Sequence, residues 1–473
     1  MPVLFITDAL VLLLLIMVFS FVWYARGQEH LRAPWRIVAR NSMAMASAVI
    51  LFFYLLIGLT DSIHFHPRLE SIDDQEVQVS KEIIYSTEVL SLLDVAITHL
   101  RTQDEKTYSA PFASRAYSKE AIELADGTTT REYPRLDYGG AHLSDPEQER
   151  MTDIILKSLM GLFYGLIIWC LVSAVIIFTV KCRRNSTFKD VFLSMLKQGD
   201  VPWKVIHLTL CAVLVTLTVS LTLSNYYHIL GTDKIGQDVF YQALKSVRTG
   251  LVIGTLTTLV MLPFAILMGL MAGYFRGWID DVIQYLYTTL SSIPGVLLIA
   301  AAILMLQVYM ANHADDFVSL EQRADMRLLF LCIILGITSW TGLCRMLRGE
   351  TMKLREVDYV QAAQAFGVGD FTIILRHLLP NVMHIVMISI VLDFSGLVLA
   401  EAVLSYINIG VDPSMESWGN MINSARLELA REPIVWWSLL AAFIFMFVLV
   451  LAANIFADAV RDAFDPRLRV LSS

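Results

Sequence analysis

The chain of 473 residues has only five cysteines, Cys170, Cys182, Cys211, Cys332 and Cys344, and none lies between residues 61 and 153, its most polar stretch. A disulfide-stapled domain is therefore excluded there, and no pair has metal-ligand spacing. A Gly-Lys pair is absent from the whole sequence, so the chain has no G-x-x-x-x-G-K-[ST] loop and does not bind ATP that way. No internal repeat is visible, which leaves the inverted-repeat architecture of many secondary transporters without support. No Ser/His/Asp set and no cluster of metal ligands stands out. Charge is also scarce, at 17% of residues.

Apolar residues, in contrast, make up 56% of the chain, and the mean hydropathy is +0.60, which marks an integral membrane protein. Apolar runs near 9–24, 43–60, 154–180, 205–224, 250–272, 289–310, 328–344, 382–409 and 434–457 predict about nine transmembrane helices. Arg26, Arg32, Arg36 and Arg40 follow the first run, Lys181, Arg183 and Arg184 the third, and Arg461, Arg467 and Arg469 the ninth. Placing those ends in the cytoplasm puts the N-terminus outside and the C-terminus inside. Basic residues are absent before the first run and crowded after it, the reverse of a cleavable signal, so it is expected to be a retained anchor.

Four blocks follow. Residues 1–60 read as a transmembrane hairpin with a basic inner turn. Residues 61–152 read as an acidic extracytoplasmic domain; 61–153 carries 19 Asp or Glu against 9 Lys or Arg, a solvated surface with no affinity for nucleic acid. Within it "EIIYSTEVLSLLDVAITHLR" has helical apolar spacing, whereas "ADGTTTREYPRLDYGG" has the residues of turns and short strands, so a small mixed α/β or irregular domain is expected. Residues 153–203 hold the third span and a basic connector whose amphipathic middle suits the membrane surface. Residues 204–473 hold six closely spaced spans, interrupted by the polar loop 347–381.

That loop contains "DYVQAAQAFGVGDFTIILRHLLPN", residues 358–381. Val357, Val360, Ala363 and Phe366 recur every third residue, predicting a short helix over 355–367. Gly367 suits its stop, since it can take a positive φ, and Pro380 suits the start of the next span. An amphipathic surface helix with no partner is the plainer reading; a lever held by a partner is the sharper one.

The spacing resembles the signature loop of ABC importer permeases, E-A-A-x3-G-x9-I-x-L-P, with Gln361, Ala362, Ala363, Gly367, Leu379 and Pro380 in register. Gln361 replaces the acid and His377 the isoleucine. "LGTDKIGQDVF" (230–240), "AGYFRGWID" (272–280), "EAVLSYINIGVDPSMESWGNM" (401–421, with Asn408 where glycine is expected) and "VRDAFDPRLR" (460–469) are similar to segments of the dipeptide/oligopeptide/nickel subgroup, in the same order. The resemblance covers about residues 200–470 and leaves the first 200 unexplained.

The resemblance implies an all-α polytopic membrane protein, a six-helix permease core preceded here by three further spans. It implies a permease subunit for di- or oligopeptides that is not itself the ATPase. It binds no cofactor directly, ATP and Mg being used by partner subunits. The implied partners are a homologous second permease, two ATP-binding subunits, an extracytoplasmic substrate-binding protein and membrane lipid, in a bacterial inner membrane. Tyr359, Gln361, Ala362, Ala363, Phe366, Gly367, Leu379 and Pro380 would then form the contact with the ATPase.

Other residues carry alternatives. Asp393 and Glu401 lie in an apolar span, where an ionised carboxylate is costly unless it meets water or a partner. Eight residues apart, they are about 80° apart around a helix and could face one pathway. They could equally brace the structure, or serve as the proton relay of a secondary transporter, the rival function. Trp418 reads as a pathway residue or as an interfacial aromatic. His64 and His66 have metal-like spacing without a third ligand and read better as solvated histidines.

Overall fold

The computed structural model describes residues 1–27, 29–68, 85–123, 129–184, 201–313 and 319–464. Most of the basic connector, and the C-terminal end of "VRDAFDPRLR", fall outside them. Among the described residues, eight helices are long and apolar enough to cross a membrane, and a shorter apolar helix precedes them. These nine elements coincide with the nine apolar runs. The fold is that of a mostly helical, multi-pass membrane protein with small sheet elements in its loops.

The chain divides into two compact units that do not follow sequence order. The first comprises Met1–Leu4, Ala39–Thr249 and Glu416–Ala452. It holds strand β1 (Pro2–Val3), helix α3 (Ser42–Asp61), β2 (His64–Phe65), β3 (Leu90–Ser91), the one-turn helices α4 (Leu92–Ala96) and α5 (Thr98–Thr102), the hairpin β4 (Glu120–Glu123) and β5 (Thr129–Glu132), and the long helices α6 (Pro146–Arg184) and α7 (Trp203–Ser224). β1, β2 and β3 form an antiparallel three-stranded sheet in that order, with Pro2 opposite Phe65 and His64 opposite Ser91. α6 and α7 approach so closely that a Cβ on Gly161 would lie 2.7 Å from the Val219 backbone, and one on Gly165 2.5 Å from the Thr218 hydroxyl. Small residues let membrane helices pack in this way.

Of the stretch 82–101, whose apolar spacing is helical, the described residues 85–101 hold a short strand followed by two short helices. Ser91 starts α4 late through a capping box with Asp94, and Ile97 leaves helical geometry at φ −117°, ψ 34°, which separates α4 from α5. Leu93, Ile97 and Leu100 bury their side chains against Phe240 and Leu244, so the amphipathic spacing was real while the continuity was not.

The second unit comprises Phe5–Val38, Gly250–Met415 and Ala453–Ser473. Its helices are α1 (Ile6–Ala25) and α2 (Glu29–Arg40), then the greater part of α8 (Val239–Phe275), α9 (Gly277–Ser292), α10 (Gly295–Asn312), α11 (Leu320–Arg355), α12 (Asp358–Ala365), α13 (Asp370–Ile373) and α14 (Leu379–Tyr406). α15 (Trp418–Glu428) belongs to the first unit, and α16 (Trp437–Phe464) contributes residues to both. One apolar cluster joins Val252, Leu256, Ile303, Leu328, Leu335 and Leu404. A second joins α8, α9 and α11 to the polar loop through Leu270, Tyr287, Leu347, Val360, Ile373 and Leu378.

Candidate functional site

The polar loop is built on that second cluster. α12 spans Asp358–Ala365, shorter than the expected 355–367, because Arg355 is still the last residue of α11 and Val357 is an extended N-cap at ψ 140°. Val360 is fully buried and Ala363 packs beside it. Gly367 takes φ +76°, its N–H donates to Gln364 O at 2.9 Å, and Val368 N–H donates to Ala363 O at 3.1 Å. That is a Schellman stop, the role expected of Gly367.

The apolar spacing misleads at its two ends. Val357 is 40% exposed and Phe366 88%, so only the middle of the stripe is core. Tyr359, Gln361, Ala362, Phe366 and Gly367 are exposed, and Phe371 nearby is exposed too. Leu379 is half-buried and Pro380 exposed.

Pro380 lies in the first turn of α14, as expected, but helical structure also precedes it. Helix runs without a break from Asp370 to Tyr406, and the five residues before Leu379, Ile374–Leu378, form a π turn. A proline inside a helix has no N–H to donate and its ring crowds the carbonyl four residues back, and a π turn just before it relaxes both demands. The Asn381 side chain donates to His377 O at 2.6 Å and to the Tyr359 hydroxyl at 3.0 Å, tying α12 to this turn.

Tyr274, Arg276 and Asp280 of the "AGYFRGWID" segment, with Arg348 and Arg355, hold the loop, a role that sequence reading did not assign to them. Tyr274, at the end of α8, is 3% exposed. Its hydroxyl donates to Asp370 Oδ1 at 2.7 Å and accepts from Gln364 Nε2 at 3.2 Å, while its carbonyl accepts from Arg355 Nη1 at 2.7 Å. Arg276 pairs with Glu356 at 2.7 Å, and Arg348 grips Asp280 through two bonds of 2.6 and 2.7 Å. The Arg348 guanidinium holds the Asp280 carboxyl below the usual carboxylate range.

Of the remaining candidates, Asp393 is half-buried in α14 and among the described residues makes no hydrogen bond or ion pair. Glu401, on the same helix, is 2% exposed and accepts from the Ser405 hydroxyl at 2.7 Å, the bracing alternative. Trp418, read as a pathway residue or an interfacial aromatic, is 1% exposed and its indole N–H donates to Ala243 O at 3.1 Å, packing it inside the first unit. Among the described residues no group of three or more His, Cys, Asp or Glu could hold a metal. Asn408 takes φ +61°, the left-handed conformation open to glycine and asparagine, which explains the exchange at that motif position.

The first unit contains a second polar constellation that sequence reading missed. His228, just before the "LGTDKIGQDVF" segment, donates to Asp238 Oδ2 at 2.7 Å and lies 3.4 Å from Glu105 Oε1. Burial disfavours the charged imidazole, but the hydrogen bonds and charges of Asp238 and Glu105 outweigh it and raise His228 to about 9. Burial likewise disfavours the Glu105 carboxylate, but His228 and the N–H groups of Asp137, Tyr138 and Gly139 bring it down to about 2. Gly236 lets the two strands of chain meet: at φ +86° its carbonyl accepts from Glu105 N–H at 2.9 Å, and a Cβ there would sit 1.7 Å from Glu105 O. Lys245 bridges Asp61 and Asp94 at 3.0 and 2.9 Å. Burial pushes the nearby half-buried Glu416 up to about 7.

Comparison with known proteins bears on the second half of the chain. Residues 265–470 match the family described as binding-protein-dependent transport system inner membrane component. The glutathione transport system permease protein GsiD of Pectobacterium atrosepticum is 31% identical over 244 residues, 51% of this chain and 73% of that protein. The oligopeptide transport system permease protein OppC of Mycobacterium tuberculosis is 32% identical over 244 residues, 52% and 77% of the two chains. The dipeptide transport system permease protein DppC of Bacillus subtilis is 28% identical over 242 residues, 51% and 69%. A component of such a system works with a binding protein and an ATPase, and is not the ATPase itself. The chain therefore belongs to the family of inner membrane permease components of binding-protein-dependent ABC transport systems.

Proposed function

We propose that this chain forms half of the translocation pathway of an ATP-driven importer of di- or oligopeptides. In this reading residues 204–473 are the permease core, the loop 347–381 lies in the cytoplasm, and the N-terminus lies outside. The hairpin 1–60, the acidic segment 61–152 and the span with connector 153–203 are additions to that core. A homologous permease supplies the other half, two ATP-binding subunits drive the cycle, and an extracytoplasmic binding protein delivers substrate. Peptide transport is supported by the printed functions of the relatives, which include glutathione, itself a small peptide, among their substrates.

The observation that carries the coupling role is α12 itself. It is fastened on one side by the buried Val360 and left bare on the other, with Tyr359, Ala362, Phe366 and Gly367 exposed together. Small side chains at Ala362 and Gly367 permit close approach, and Phe366 offers a large apolar contact, as an ATPase groove would need. Leu379 and Pro380 fix the next helix behind it. Asp393, unpaired among the described residues, is the best candidate for lining the pathway.

The test is reconstitution of the co-purified complex with its binding protein. Labelled dipeptides, longer peptides or glutathione should stimulate ATP hydrolysis and be taken up at its expense. Uptake that stops when the proton gradient is collapsed while ATP is maintained would instead favour the proton-coupled rival using Asp393 or Glu401.

A further inference from the structure

We propose that the turn between α8 and α9, residues 274–280, is a bracket that sets the position of the ATPase-contacting helix, with the Tyr274 hydroxyl as its principal positioning group. The inference rests on the coupling role given above to α12. It assigns work to the "AGYFRGWID" segment, which the loop and the pathway leave unused.

Tyr274 reaches both ends of the loop. Its carbonyl accepts from Arg355, the last residue of α11, and its hydroxyl bonds Gln364 near the end of α12 and Asp370 at the start of α13. The Arg355 guanidinium also lies 5.8 Å from the ring centroid. One residue, through its backbone carbonyl and its hydroxyl, thus fixes where α12 is entered, where it ends and where the next helix begins. Displacing the hydroxyl would release the end of α12 and the start of α13 together.

The bracket is itself rigid. A Cβ on Gly269 would lie 2.7 Å from Leu347 Cβ, and one on Gly273 2.5 Å from Thr351 Cβ, so α8 and α11 are in close contact over the last turns before Tyr274. The chain then turns through Arg276 at φ +56° and Gly277 at φ +59°. A positive φ at a residue other than glycine persists only where surrounding contacts impose it, and here Arg276 is paired with Glu356 across the turn. Asp280, one helical turn further on, receives both Arg348 bonds. Three side chains of one nine-residue segment therefore hold α11 and the loop from one side.

A force applied to α12 would in this arrangement pass to α8 through Tyr274 as well as along the chain into α11 and α14. Tyr274 touches neither substrate nor nucleotide and acts through α12.

The experiment compares uptake per ATP hydrolysed in the reconstituted importer carrying Tyr274→Phe, Asp370→Ala, the double substitution, Asp370→Asn or Gly367→Trp. Tyr274→Phe keeps the buried ring and removes only the hydroxyl; Asp370→Ala changes an exposed residue and serves if the first variant assembles poorly. Each should lower the uptake-to-hydrolysis ratio about tenfold or more, the size of one lost hydrogen bond to a charged group. The double substitution should be no worse than either alone, and Asp370→Asn, which keeps the acceptor, should restore the ratio. A ratio within twofold of the unaltered complex for both Tyr274→Phe and Asp370→Ala overturns the inference. If Gly367→Trp uncouples while those two do not, the coupling role of α12 stands and the bracket falls. If Gly367→Trp leaves coupled uptake normal, the reading beneath the inference fails instead.

Discussion

Raising the pH from 6 to 10 should loosen the contact between the acidic segment and the chain around residues 228–238. The carboxylates of Asp238 and Glu105 outweigh burial and raise His228 to about 9 from the ordinary histidine value of 6.5. A group raised in this way stabilises the folded form fully below its unfolded pKa and loses that contribution as pH rises through its folded pKa. The window is thus about 6.5 to 9, and a gap of that size is worth about 3 kcal/mol, or roughly a few hundredfold in an opening equilibrium. Glu105 has the opposite sign: lowered to about 2, its contribution is present above the ordinary carboxylate range and lost only in strong acid. Of these two only the histidine changes between pH 6 and 10, and comparison with His228→Gln separates it from Glu416, which burial pushes up to about 7. The assay is amide hydrogen exchange at Ser109, whose N–H donates to the Thr232 hydroxyl, and at Glu105, whose N–H donates to Gly236 O, corrected for intrinsic exchange rates. Protection at both should fall across this window in the unaltered protein and vary little in His228→Gln. Equal protection at pH 6 and pH 10 would refute the buried imidazolium and the latch built on it.

Two further outcomes follow from glycine geometry and from the ion pair beneath the loop. Gly236→Ala and Gly367→Ala both force an L residue to a positive φ, about 1–2 kcal/mol each. Only the first also drives a methyl to 1.7 Å from a backbone oxygen, while the second meets open space. Gly236→Ala should accordingly lower the unfolding temperature of the detergent-purified protein well beyond Gly367→Ala, and equal shifts would contradict the close approach at Glu105. Asp280→Asn should cost about 2–3 kcal/mol by breaking a charge-assisted pair, read as lower denaturant resistance, and Asp280→Glu should recover part of it; no loss would mean the Arg348 contact is idle.

The helices were legible because apolar runs long enough to span a bilayer have few other uses. Gly367 and Asn408 were legible in part because a positive φ restricts the residue types that fit. Which members of the Val357, Val360, Ala363 and Phe366 stripe are covered was not legible, because a three-residue apolar spacing does not say; Val360 is buried while Val357 and Phe366 are exposed. The break at Ile97 and the π turn before Pro380 were missed for a related reason, since both depend on which hydrogen bonds the surroundings complete. Tyr274 and His228 were invisible for a different one. The partners of Tyr274 lie 81 to 96 positions away and Glu105 lies 123 positions from His228; only Asp238, ten positions on, is near in sequence, and a single tyrosine or histidine does not announce such partners. The acidic composition of residues 61–152 did mark a distinct segment. It did not reveal that Glu105 meets His228 through a gap that only Gly236 leaves open.

The most direct measurement of the central claim is site-specific photocross-linking from the exposed face of α12. Phe366 would be replaced by p-benzoylphenylalanine in the intact complex, with the buried Val360 position as the control. The account predicts that the Phe366 probe forms an adduct with a nucleotide-binding subunit, that ATP alters its yield, and that the Val360 probe gives none. An adduct confined to lipid or to the permease itself, in a complex that still hydrolyses ATP on addition of substrate and binding protein, would contradict it.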